Sequence, residues 1–125
     1  MMGGGISVMR LGSILMVTVP SDPDDDTISD LQVRILSSME GSTALGLILD
    51  ISTVQTVDSF FARTITETVQ MVSLMGGITV LSGMQAAVAV TTTQLGLTLG
   101  SIPTALNVDR AMITLQHLLE ERRLS

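Results

Sequence analysis

Leu47-Ile48-Leu49-Asp50-Ile51 is the run that leaves this chain the fewest options. Four of its five residues are aliphatic, so an extended strand here carries apolar side chains on both faces. Such a strand must be covered on both sides, which places it at the centre of a mainly parallel sheet. A short loop later, Asp58 and Ser59 offer side chains that accept hydrogen bonds from the unpaired N–H groups opening a helix. Beyond them apolar residues return at helical spacing: Phe61, Ile65, Val69 and Val72. Ser59 is therefore expected at the exposed N-terminal end of a helix, beside the carboxyl end of a central strand. That is where an α/β sheet presents its working residues.

The rest of the chain falls into line around this unit. Residues 1–5 read as a flexible start, and Ile6–Arg10 and Ile14–Val19 as two strands joined in a hairpin around Leu11-Gly12. Pro20–Asp26 is a turn rich in Asp and Pro. Thr27 is the expected cap of the next helix, with Asp30 as its capping-box partner. Ile28, Leu31, Ile35 and Met39 share one face of that helix, and Gly41 ends it. Gly46–Ile51 is the central strand, and Ser59 to about Met75 the second helix, closed by Gly76-Gly77. Ile78–Leu81 is the next parallel strand. Gln85–Leu95 is a third helix, with Met84, Val88, Thr92 and Leu95 toward the sheet and Gly96 as its stop. Leu97–Pro103 holds a short strand or extended turn. Val108–Arg122 is the last helix, capped by Asn107, with Val108, Met112, Leu115 and Leu119 inward. Strands alternating with helices imply an α/β fold with right-handed crossovers. The sheet is mixed but mainly parallel, with an N-terminal hairpin and about four helices.

Composition narrows the function. At 125 residues, 46% of them hydrophobic, the chain makes one domain, residues 1–125, with a proper core. With no Trp or Tyr, two Phe and nine Met, that core is aliphatic and adaptable. A net charge of −6 argues against unspecific nucleic-acid binding, which needs a basic face. Zero Cys removes disulfides, thiol catalysis and thiolate metal sites. The apolar stretch Val72–Val90 is interrupted by Gly76-Gly77, Ser82-Gly83 and Gln85, so no membrane span is expected, and the N-terminus lacks the basic region of a signal peptide. A charged fraction of only 14% points either to surface buried against partners or to a small, dense core.

Other constellations carry less chemistry. Asp22, Asp24, Asp25 and Asp26 lack the spacing and turn glycine of an EF-hand loop, so they are read as solvating a loop and favouring a helix start, with no metal expected. His117, the single His, has no identifiable Ser or Cys nucleophile beside it and is read as polar-face or partner-facing. Gly3-Gly4-Gly5 and Gly76-Gly77 form no phosphate loop, and no cofactor is expected. Thr91, Thr92 and Thr93 form a hydroxyl cluster of the kind that bonds back to its own helix.

The block from Asp50-Ile51-Ser52 to Asp58-Ser59, followed by Phe60-Phe61-Ala62-Arg63, resembles the signature of STAS domains, the anti-sigma factor antagonist family. The family pattern is an apolar strand, an Asp-aliphatic-Ser start to a loop, and an Asp-Ser pair opening a helix. The order of elements matches that fold across essentially the whole chain, and Leu95–Gly100 also resembles the family. Within it, the chain is similar to the single-domain scaffolds of the bacterial stressosome. The resemblance implies a non-enzymatic cytoplasmic scaffold that assembles with RsbR-type sensor proteins and itself into a large particle. It further implies that the scaffold holds an RsbT-type serine kinase, releases it on phosphorylation of Ser59, and is reset by a phosphatase. Asp58 then serves capping and local charge. One of the three threonines is a candidate second phosphosite that the resemblance does not single out. The alternative within the family is a direct anti-sigma factor antagonist switched at the same serine. Outside it, a small enzyme or ligand-binding module remains as a contrasting class.

Overall fold

The computed structural model describes residues 5–41, 43–96 and 101–124. The chain opens with strands β1 (Ser7–Leu11) and β2 (Ile14–Thr18), which pair antiparallel with Leu11 opposite Ile14. The turn between them needs Gly12, whose φ of +62° is the left-handed region that side chains avoid. There follow α1 (Asp25–Glu40), β3 (Gly46–Asp50), α2 (Ser59–Leu74), β4 (Ile78–Ser82), α3 (Ala86–Gln94), β5 (Thr104–Ala105) and α4 (Val108–Leu124). The sheet runs in the order β1-β2-β3-β4-β5, parallel from β2 onward. Among the described residues this is the mixed α/β architecture, with an N-terminal hairpin and four helices, that the sequence predicts.

Strand order that advances in one direction with right-handed crossovers puts every crossover helix on the same face. So it is here. Leu15, Val17, Leu47, Leu49 and Leu81 point to the face covered by Ile28, Leu31, Ile35 and Met39 of α1, by Phe61, Ala62, Ile65 and Val72 of α2, and by Val88 of α3. Ile14, Ile48 and Val80 point the other way, against Ala111 and Leu115 of α4. Leu47, Ile48 and Leu49 are fully buried, so β3 is covered on both faces as its composition requires.

The structure departs from the sequence reading in four places. Thr27 does not cap α1. Asp24 does, its carboxylate accepting the Thr27 N–H at 2.7 Å, so the helix starts two residues before Thr27 with Asp25 and Asp26 in its first turn. Asp is the stronger cap, and the early start sets two more carboxylates on the positive helix end. Asp30 pairs instead with Arg34 at 3.1 Å. Leu95 is exposed at the end of α3 rather than turned to the sheet, although Val88 and Thr92 are buried as expected. The last strand is Thr104–Ala105, past the expected Leu97–Pro103. Residues 97–100 and 1–4, including most of the Leu95–Gly100 stretch and of the N-terminal start, lie outside the described residues. On α4 the fully buried positions are Ala111 and Leu115, with Val108, Met112 and Leu119 only half-buried.

Candidate functional site

The carboxyl ends of β3 and β4 carry a loop, residues 51–57, whose backbone is fixed from its first residue. Ile51 donates its N–H to the Ser82 carbonyl at 2.9 Å, and Val54 closes a turn on the Ile51 carbonyl at 3.1 Å. Asp50 Oδ1 accepts the Ser52 N–H at 3.0 Å, the Thr53 hydroxyl donates to the Val19 carbonyl at 3.3 Å, and Gln85 Nε2 donates to the Ser52 carbonyl at 2.7 Å. Val54 is fully buried, and Val57 packs half-buried against the core. These contacts deliver the chain to the start of α2 in a defined direction.

At that start the two expected residues divide the work. Asp58 is the cap. Its extended backbone (φ −108°, ψ 178°) lets its carboxylate accept the Phe61 N–H at 2.8 Å, while its carbonyl accepts Ala62 N–H at 3.1 Å. Ser59 is the first helical residue and is exposed. Among the described residues nothing hydrogen-bonds its hydroxyl, so the fold makes no use of it. The surroundings are acidic. Asp22, Pro23, Thr56, Val57, Asp58 and Phe61 enclose a recess of about 200 Å³ beside the helix start, where the α1 approach meets the α2 approach. Hydrogen bonding from Thr27, side chain and then backbone, holds the Asp24 carboxyl below its ordinary range.

The remaining sequence candidates lie apart from this site or are engaged within their own helices. Thr92 is buried and donates its hydroxyl to the Val88 carbonyl at 2.8 Å, and Thr93 donates to Ala89 at 3.0 Å. His117 is exposed on α4 and faces Glu121 at 3.3 Å. Sequence reasoning missed Gln85 and Gly83 as parts of the loop's support. Gln85 meets Ser52 across 33 residues of sequence, a separation that no local pattern encodes.

The family model described as STAS domain matches residues 6–111. The chain belongs to the STAS domain family. A variant of RsbS from Moorella thermoacetica, with one serine replaced by glutamate, superposes with a TM-score of 0.84 at 28% identity, over 94% of this chain and 99% of that one. A chain solved as part of the molecular architecture of the stressosome, a signal integration and transduction hub, gives 0.77 at 29% identity, over 90% and 98%. SpoIIAA, an anti-sigma factor antagonist in its unphosphorylated form, shares the fold at 11% identity with a TM-score of 0.75, over 90% and 97%. No curated protein matches the sequence. Among the described residues, no helix of this STAS domain is long and apolar enough to cross a membrane.

Proposed function

We propose that this STAS domain is a non-enzymatic, cytoplasmic stress-signalling scaffold. It assembles with RsbR-type sensors into a stressosome, holds an RsbT-type serine kinase at rest, and releases it when Ser59 is phosphorylated; a phosphatase resets the serine. The observation that carries this reading is the exposed Ser59 hydroxyl, left without a hydrogen bond among the described residues because Asp58 does the capping. The likeness to RsbS and to a stressosome chain supports it.

The physical consequence of a phosphate at Ser59 is direct. It adds roughly −1.5 to −2 charge and three acceptor oxygens. The positive end of α2 tolerates that charge, so the domain keeps its fold. A partner seated on the same surface does not tolerate it. Its contacts were made to a neutral hydroxyl next to the carboxylates of Asp22 and Asp58, and they now meet a desolvated dianion.

The test is phosphorylation by an RsbT-type kinase with ATP, mapped by mass spectrometry, with Ser59→Ala alongside. Modification at Ser59 that disappears in the variant, together with kinase release, is the expected result. An active kinase that leaves Ser59 unmodified defeats the proposal. Sizing the complex with an RsbR-type protein separates the scaffold, which forms very large particles, from a direct anti-sigma factor antagonist, which does not.

A further inference from the structure

Ser52, at the start of the loop that leads to Ser59, is gripped on three sides. Asp50 Oδ1 takes its N–H, and Gln85 Nε2 donates to its carbonyl at 2.7 Å. Gly83 lies against its side chain so closely that a Cβ on residue 83 would come within 2.7 Å of the Ser52 Cβ. Gly83 also has a φ of +78°, so both the turn and the approach require glycine there. The Asp50 bond is local to the loop. Gln85 and Gly83 belong to the connection between β4 and α3.

Gln85 occupies the N-cap position of α3, yet its side chain makes no capping bond. Caps favour Ser, Thr, Asn or Asp, whose short side chains turn back to the first amides. A longer amide here reaches away from its own helix and onto the loop. α3 has nine residues, below the roughly 12–15 at which an isolated helix is even marginal in water, so it depends on contacts of this kind.

We infer that Gln85 is a positioning residue for Ser59. It acts through the Ser52 carbonyl and makes the loop 51–57 and the start of α3 order as one unit. The inference rests on Ser59 being the working residue of the site. The coupling itself is a property of the unmodified domain.

Residue-resolved amide exchange on the full chain tests it, comparing the natural protein with Gln85→Glu and Gln85→Lys. Glutamate keeps the size of the side chain without its N–H donor, whereas lysine restores a donor. Exchange in Gln85→Glu should rise about two- to tenfold, the range one neutral hydrogen bond spans. The rise should appear at Val54 and Phe61 on the loop side as well as at Val88 and Ala89 in α3, all of them bonded amides. Amides of α1 and β3 should stay as they were, and Gln85→Lys should recover most of the protection. With an RsbT-type kinase, Gln85→Glu should raise KM for Ser59 and leave kcat unchanged, because the segment must then be ordered on docking. A change confined to α3 would reduce Gln85 to a poor cap, and a uniform rise across the sheet would reduce it to a stability residue. Either result overturns the inference, as does a loosened loop with an unchanged KM. A loosened loop in a protein whose Ser59 takes no phosphate supports the coupling and removes the functional reading of Ser59 instead.

Discussion

Replacing Asp58 by alanine takes away the acceptor of the Phe61 N–H at the mouth of α2. Loss of such a cap costs about 0.5–2 kcal/mol. Replacing the adjacent Ser59 by alanine removes a hydroxyl with no hydrogen bond and should change stability by no more than about 0.5 kcal/mol. Urea unfolding of the two variants checks the pair. Equal losses would mean that the serine shares the capping, and the hydroxyl would no longer be spare. This division was only half legible in the sequence. Asp58-Ser59 marked a helix start, but both residues are competent caps, and which one holds the non-helical backbone depends on how residues 51–57 deliver the chain. The same ambiguity arose at α1, where Asp24 took the position expected of Thr27.

At the scale of elements, the cap of α1 titrates. Hydrogen bonding from Thr27 depresses the folded pKa of Asp24 below its ordinary value of 3.8. A depressed carboxylate contributes stability that is present above its unfolded pKa and lost as pH falls through the folded one. Asparagine also caps helices but cannot titrate. The stability gap between the natural protein and Asp24→Asn should therefore be constant at neutral pH and shrink as pH drops below 3.8, read by denaturant unfolding at several acid pH values. A gap that holds at low pH would place the charge outside the capping interaction. The amphipathic stripes of α1 and α2 were legible because Ile28, Leu31, Ile35 and Met39, or Phe61, Ile65 and Val72, meet the sheet directly. The final strand was not. Its two residues are fixed by pairing with Leu81 and Ser82 of β4, and a pair of residues with the single small apolar Ala105 is too short to show a strand's alternation.

Across the whole molecule, the two faces of the sheet are unequal. The need to cover β3 on both sides could be read from Leu47–Ile51. Which helix covers the second face could not, because α4 follows the last strand and no crossover rule governs it. Its hold rests largely on Leu115, buried against the sheet beside Gly46, where an added Cβ would stand 2.7 Å from Leu115 Cδ2. Leu115→Ala should cost about 2–5 kcal/mol, and Gly46→Ala about 1–3 kcal/mol by overpacking. Together they should cost less than the sum, since the truncated Leu115 vacates the space that the Gly46→Ala methyl needs. A coupling of about 0.5–3 kcal/mol in a double-mutant cycle is the expected result, and strict additivity would mean that α4 yields by moving away rather than by repacking. Because α4 lies opposite the helices that carry Asp58 and Gln85, the same Leu115→Ala substitution should speed amide exchange in α4 at conditions well short of unfolding, while Val54 and Phe61 keep their protection. Loss of protection at both places together would make the domain one cooperative unit, and the Ser59 surface would then report on the state of α4.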